Sequence, residues 1–163
     1  MNIKQALKSQ YHSSMDMLCQ AIEKCPDALW NDQTHTNKFW QLSFHTLYYV
    51  DIYTQGTDEN FVAWEKYKEN FQHLGRDSKE DPITLEDAYT KAEILEYYNH
   101  IYKQIDKRID STEMELISEV SWVSGTSFEL QIHNIKHIMH HVGMMFDRLR
   151  HNNTDVEWGK REE

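Results

Sequence analysis

The sequence predicts an all-α protein in which four long helices form a bundle, with a short extra helix or loop between the second and the third. The 163 residues include only five Gly and two Pro, so few positions interrupt a helix. Apolar residues recur at spacings of three and four in four separate segments. With 39 % hydrophobic and 27 % charged residues, we expect residues 1–163 to form one globular domain.

The first two predicted helices occupy the N-terminal third of the chain. The second runs from about residue 37 to residue 55 before Gly56, and it is apolar nearly all round, which is typical of a buried helix. Phe61 and Trp64 suggest a short helix in the charged stretch that follows. The first helix ends near Cys25, because the residue before a proline leaves the helical region; its apolar face is Leu7, Tyr11, Met15, Leu18 and Ile22.

The third and fourth predicted helices each open with a helix-capping pattern. Thr84 followed by Asp87 opens the third, which continues through Ile109. Thr126 followed by Glu129 matches the capping box at the start of the fourth. A heptad seam on the fourth helix is expected to face the core: Phe128, Ile132, Ile135, Met139, Val142, Phe146 and Leu149.

Charge and composition exclude several classes of function. A net charge of −10 and a pI near 5.4 would repel phosphate backbones, so no nucleic-acid binding is expected. No run of about 18 apolar residues predicts a membrane span, and no apolar leader is evident, so we expect a cytoplasmic protein. Cys19 and Cys25 form neither a Cys-x-x-Cys pair nor a disulfide framework and are expected to be reduced.

Histidines concentrate in the last predicted helix, where residues 133–151 hold five of the ten in the chain. At about 100° per residue, His137 and His141 share one face at the edge of the apolar seam. The other three fall nearer the charged face and are expected at the surface: His133, His140 and His151.

On the second predicted helix, His45 lies among apolar and aromatic residues. A hydrogen-bonded core histidine is the ordinary interpretation of such a residue. Together with His137 and His141, however, it would supply three imidazoles from two helices. Three histidines with an open position for water form a zinc-type site, and the same arrangement also suits nickel or iron(II). Both interpretations stay open from the residues alone.

Two stretches resemble the DinB-like superfamily of four-helix bundles: FWQLSFHTLYYVD around His45, and HIMHHVGMMFDRLR, which contains His137, His141 and the following Gly143. The resemblance covers nearly the whole chain in helix order and spacing. It implies a three-histidine metal site, with one ligand from the second helix and two from the fourth in a pattern close to H-x-x-x-H-x-G-Q. Met144 stands where the family often has Gln, so a polar contact from that Gln has no counterpart here.

The resemblance implies a metal-dependent enzyme, since relatives include thiol-dependent transferases and isomerases that use bacillithiol or mycothiol. A divalent ion (Zn, Ni or Fe) would favour the thiolate of a low-molecular-weight thiol, or would activate water for hydrolysis. The substrate would be a small molecule. Four residues are candidates for binding it, with packing or a surface salt bridge as the alternatives: Trp40, Tyr48, Tyr49 and Arg148.

A non-catalytic role is the second hypothesis. The second predicted helix is apolar on more sides than a monomeric bundle needs, which favours a homodimer or an interaction module. The histidines would then bind a structural metal ion, or none. Three protein ligands plus water favour catalysis, whereas a fourth protein ligand favours a structural site.

Both metal-binding hypotheses predict a dependence on pH. If the pKa values of the histidines are unperturbed, metal affinity should decrease as the pH drops below about 6.5.

Overall fold

The fold is taken from a computed structural model that describes residues 2–76, 79, 81–83, 85 and 87–159. Across these residues the protein is all-helical, and its β pairing is confined to isolated bridges. The all-α prediction is therefore confirmed. The helices are α1 (Ile3–Lys24), α2 (Asp27–Trp30), α3 (Phe39–Gln55), α4 (Lys91–Tyr102), α5 (Ile105–Ser111) and α6 (Ser127–His151).

Three helix boundaries lie where local chemistry predicts them. α1 ends at Lys24, and its C-cap residue Cys25 directly precedes Pro26. The C-cap residue of α3 is Gly56, whose φ of 82° is a left-handed conformation that glycine adopts without a steric penalty. α6 begins with the predicted capping box, in which the Thr126 side chain accepts from the backbone N–H of Glu129 and the Glu129 side chain accepts in return.

The start of the third predicted helix differs from the prediction. Thr84 lies outside the described residues, and Asp87 is not helical. α4 begins instead after Thr90, which forms a complete capping box with Glu93. Both halves of this box are present, since Glu93 accepts from the Thr90 backbone at 2.8 Å and Thr90 accepts from the Glu93 backbone at 3.2 Å. The non-helical approach lets Tyr89 enter the core, where it is 1 % exposed.

The connection between α3 and α4 is irregular throughout its described residues, so the loop alternative of the prediction holds. No helix forms around Phe61 and Trp64. The segment nevertheless contributes to the core, because Trp64 and Phe71 are buried in it. It therefore lies against the helices and reaches the functional site described below.

The helices enclose one principal core. α6 packs against α1 and α3, while α4 packs against the other sides of α1 and α3, with α5 continuing the same layer. This arrangement is compatible with a four-helix bundle. None of the helices in the described part of the chain is both long enough and apolar enough to cross a membrane.

The predicted heptad seam of α6 is only partly in the core. Its C-terminal residues Val142, Phe146 and Leu149 are buried, but Ile132 is 49 % exposed. Phe128, Ile135 and Met139 are half-buried. A straight helix drifts about 20° per heptad relative to a strict seven-residue repeat, so the N-terminal half turns a different face inward. That face comprises Leu130, Gln131, Asn134 and Ile138.

A buried ion pair links α3 to α5. Asp51 is fully buried, and one of its carboxylate oxygens accepts from Arg108 Nη1 at 2.7 Å. The other oxygen accepts from the Tyr97 hydroxyl of α4 at 2.8 Å. Gln55 also donates to the carboxylate. This cluster satisfies a charge that would otherwise be costly to bury.

The two cysteines are free, as predicted, with Cys25 buried and Cys19 half-buried. Burial raises the pKa of the Cys19 thiol to about 11 and that of Cys25 to about 12. Both are therefore thiols at neutral pH, which makes them poor nucleophiles and poor metal ligands.

Candidate metal centre

Three histidines from two helices meet at one point between α3 and α6. His45 Nε2 lies 3.0 Å from His137 Nε2, and His141 Nε2 lies 3.1 Å from the same atom. One ligand atom from each residue falls within 4.8 Å of the others, and the group could hold a metal ion. His137 and His141 are four residues apart, so they occupy adjacent turns of one helical face. The structure thus brings together the three predicted ligands.

The loop between α3 and α4 fixes the orientation of His45. Its Nδ1 lies 2.6 Å from the backbone carbonyl oxygen of Gln72. A carbonyl oxygen only accepts, so Nδ1 carries the hydrogen and Nε2 presents a lone pair to the other two histidines. A ligand histidine is commonly held in this way. Sequence reasoning missed Gln72, because a backbone carbonyl leaves no residue-type signal.

The other two histidines lack such a partner. Nδ1 of His137 and Nδ1 of His141 are buried and have no hydrogen-bond acceptor in the described part of the protein. Protein contacts therefore fix the tautomer of His45 and leave those of His137 and His141 open. A buried polar nitrogen without a partner is costly, so this face of the site is the least satisfied part of the centre.

Burial keeps all three imidazoles neutral. It is the main cause that lowers the pKa of His45 to about 4, that of His137 to about 2 and that of His141 to about 3, and neighbouring imidazoles make a smaller contribution in the same direction. Neutral imidazole is the form that binds metal ions. Without a cation, a hydrogen on Nε2 of His137 could be donated to only one of its two neighbours, which are Nε2 of His45 and Nε2 of His141. A cation between the three lone pairs would satisfy every Nε2, so the donor set fits a metal ion.

The centre has three protein ligands within reach. Among the described residues, no cysteine or carboxylate joins the three histidines. A three-histidine set leaves room for water or substrate at a fourth position, which is the arrangement of catalytic rather than structural zinc sites.

Two of the predicted substrate-binding residues lie beside the centre. The Tyr49 ring centroid is 4.8 Å from that of His45 and 5.3 Å from that of His137. Tyr48 packs against Tyr49 at 5.3 Å. Tyr53, which sequence reasoning did not select, continues the row at 5.5 Å from Tyr49. The four-residue spacing of His45, Tyr49 and Tyr53 was the available signal.

The other two predicted substrate-binding residues have structural contacts elsewhere. Trp40 is 2 % exposed, and its indole N–H donates to Asn31 Oδ1 at 3.2 Å. This position fits the packing alternative. Arg148 donates to the backbone carbonyl of Asn37 at 2.7 Å rather than forming a surface salt bridge. The structure therefore does not bring Trp40 or Arg148 to the histidines.

The remaining histidines of α6 lie mainly outside the centre. His140 and His151 are exposed, as predicted, whereas His133 is half-buried. The His133 ring packs edge-on against Tyr53, with centroids 5.6 Å apart. Met144 is also half-buried and packs against the core.

A cavity on another face of the protein does not include the histidines. It has a volume of about 1380 Å³ and is lined by residues of α4, α5 and the preceding loop, including Arg108. The charge of Arg108 is already paired with buried Asp51. The histidine centre is thus the better candidate for a functional site, because three nitrogen atoms that could bind a metal ion lie close together there.

Comparison of the chain with models of known protein families, with curated protein sequences and with solved structures gave no match.

Proposed function

We propose that this protein is a metal-dependent enzyme of the DinB-like type, in which His45, His137 and His141 bind a divalent ion. The observation that supports the proposal is the approach of three neutral imidazole Nε2 atoms to 3.0 and 3.1 Å. The accompanying fold would be a single-domain four-helix bundle of residues 1–163 in the cytoplasm, without nucleic-acid or membrane partners.

A bound ion would supply Lewis acidity and an open coordination position. Three neutral ligands leave the full positive charge of the ion in place, so the centre would favour an anionic donor. A low-molecular-weight thiol binding as its thiolate, or water binding as hydroxide, fits that requirement. The reaction class is therefore thiol S-transfer to a small electrophile, or hydrolysis. Zinc, nickel and iron(II) all suit the imidazole donors.

Metal content is the first test. The protein is purified without a histidine tag or chelating resin, and metal is measured before and after reconstitution with zinc, nickel or iron(II). We expect one equivalent in the wild type and loss of metal in His137→Ala and His141→Ala. His140→Ala is the matched control, since this exposed neighbour should retain the metal. Stoichiometric metal in His137→Ala would overturn the proposed ligand set.

Cobalt substitution tests the open position. If thiols bind the ion directly, adding a small thiol to the cobalt-loaded protein should produce a sulfur-to-metal charge-transfer band. The wild type should show the band, and the ligand variants should not. A cobalt spectrum that no thiol or other anion changes would indicate a closed site and would contradict the catalytic assignment.

An interaction role is the second candidate, and an exposed apolar face favours it. Ile3 of α1 and Ile132 of α6 are 42 % and 49 % exposed, and they line a largely apolar groove of about 380 Å³. α3, which the sequence singled out for a dimer interface, is mostly buried instead. If α1 and α6 form a homodimer interface, Ile132→Glu should shift sedimentation from dimer to monomer. A monomeric wild type would remove this candidate.

A further inference from the structure

A group of aromatic side chains flanks the histidine centre without being part of the core. This aromatic patch consists of Tyr48, Tyr49, Phe61 and Tyr67, all of them half-buried. Tyr48 connects it, with ring centroids 5.3 Å from Phe61 and 5.6 Å from Tyr67. The core aromatics, by contrast, are almost fully buried, as in Phe44 at 0 % and Tyr97 at 1 %.

The patch is continuous with the proposed metal ligands. Tyr49 contacts the rings of His45 and His137, as described above, so a molecule bound at the open position would lie next to it. Tyr67 donates its hydroxyl to Gln72 Oε1 at 2.9 Å, and the backbone of Gln72 in turn accepts from His45. Both the helix and the loop side of the patch are therefore anchored to the same centre.

The polar groups of the patch are the uncharged hydroxyls of its three tyrosines. A phenol is neutral at physiological pH, because its ordinary pKa is about 10. The hydroxyls of Tyr48 and Tyr49 have no hydrogen-bond partner in the described part of the chain. Binding sites for small molecules are typically lined by apolar and aromatic side chains with a few such polar groups.

We propose that the aromatic patch binds a planar aromatic group of the substrate. The inference rests on the proposed function, which places the reacting group at the metal ion next to Tyr49. Offset or edge-on stacking against Tyr48, Tyr49 and Phe61 would orient the ring. The patch would select against aliphatic substrates of the same size.

Matched metal-binding probes test the selectivity. Benzohydroxamate and cyclohexanecarbohydroxamate bear the same chelating group and charge, and differ in the planarity of the ring. We expect the zinc-loaded full chain to bind the aromatic probe about fivefold more tightly in calorimetry, which is the size of an aromatic pair contact. Equal affinities for the aromatic and alicyclic probes would overturn the inference.

Variants assign the effect to the patch. Tyr49→Leu and Phe61→Leu should each bring the affinity ratio towards one. Two variants are used because Tyr49 touches the ligands, whereas Phe61 contacts the patch through Tyr48. Trp158→Leu is the control, since this indole is 74 % exposed and should leave the ratio unchanged. An unchanged ratio in both patch variants would refute the assignment.

A metal-free measurement separates this inference from the proposed function. Phenol and cyclohexanol are compared by saturation-transfer NMR on the stripped protein, because the patch exists without an ion. Transfer to phenol that Phe61→Leu abolishes would support the patch even if no metal binds. Equal transfer to both alcohols would refute the patch even if metal binding is confirmed.

Discussion

His45 and His137 bring their Nε2 atoms to 3.0 Å although they are 92 positions apart in the chain. The contact joins α3 to α6, which also meet through the hydrogen bond from Gln131 Nε2 to the Tyr53 carbonyl. Because Nδ1 of His45 is committed to the Gln72 carbonyl, its Nε2 can only accept. The neutral state of the three imidazoles therefore governs both metal binding and the acid stability of the fold.

Metal affinity should resist mild acid. Unperturbed histidines at pH 5.5 would weaken binding by on the order of 500-fold relative to pH 7, because three ligands must lose protons. The lowered pKa values, about 4 for His45 and lower for the other two, remove most of that competition. We expect less than about a threefold change in zinc affinity over this range, measured against a chromophoric chelator. The loss of zinc affinity is therefore expected below about pH 5 rather than near pH 6.5. A steep loss of affinity above pH 5 would contradict this expectation.

The metal-free protein should lose stability as pH falls below 6.5. A histidine with a lowered folded-state pKa takes up its proton preferentially in the unfolded state, so acid favours unfolding from the unfolded pKa downward. For these three histidines the loss begins near pH 6.5 and continues to about pH 4 and below. We expect a decrease of at least about 2 kcal/mol between pH 6.5 and 4.5 in urea unfolding.

Two histidine variants test whether the buried histidines cause the pH dependence of the unfolding free energy. His141→Ala removes one of the three protonation events, so its unfolding free energy should change less steeply with pH. His151→Ala, at an exposed position, should keep the wild-type slope. Identical slopes in all three proteins would show that the buried histidines do not determine the acid response.

Removing the partner of Asp51 should destabilise the fold. Arg108→Met leaves a carboxylate that is 1 % exposed without its counter-ion, at a cost of about 3–5 kcal/mol. The double variant Asp51→Asn with Arg108→Met should recover part of this loss, since no buried charge is left unpaired. Lys107→Met, at an exposed neighbouring position, serves as the control in urea denaturation. A neutral effect of Arg108→Met would indicate that the pair contributes little.

Two glycine-to-alanine substitutions should have opposite signs. Gly143 lies within α6, and a Cβ there meets no atom within 4 Å, so Gly143→Ala should stabilise the helix by about 0.5–1 kcal/mol. Gly125 has a φ of +119°, and its Cβ would lie 2.8 Å from Glu129 Oε2. Gly125→Ala should therefore destabilise the protein by about 1 kcal/mol or more. Thermal denaturation of the two variants checks both signs, and a destabilising Gly143→Ala would reveal a packing role for that glycine.

Sequence patterns predicted α1, α3, α6 and the histidine cluster, but they started the third helix at Thr84 rather than after Thr90 and did not predict its division into α4 and α5. Helical spacing placed His137 and His141 on one face, the apolar setting of His45 on the second predicted helix made it the third candidate, and the resemblance supported the set. The same spacing failed for the N-terminal half of α6, where buried Gln131 and Asn134 give no hydropathy signal. Polar residues enter a core through specific tertiary contacts, as in the hydrogen bond from Tyr11 to Gln131, which no local pattern encodes.

Two competing start signals explain the misplaced third helix. Thr84 with Asp87 and Thr90 with Glu93 have the same spacing, and the apolar periodicity extends through Leu85 and could not distinguish them. The buried position of Tyr89 distinguishes them, since its ring packs on Phe44 with centroids 4.6 Å apart. This contact is non-local and depends on the path of the preceding loop.

The Gln72 carbonyl has a consequence for insertions and deletions. Every residue type has a backbone carbonyl, so a side-chain change at position 72 leaves an acceptor for His45 in place. A one-residue deletion between Gly56 and Gln72 would instead present a different part of the backbone to that imidazole. An N–H there would force the opposite tautomer, with hydrogen on Nε2 and no lone pair for the ion. The loop is therefore constrained in length more than in sequence at this position, and its shortening would abolish metal binding with all three ligands intact.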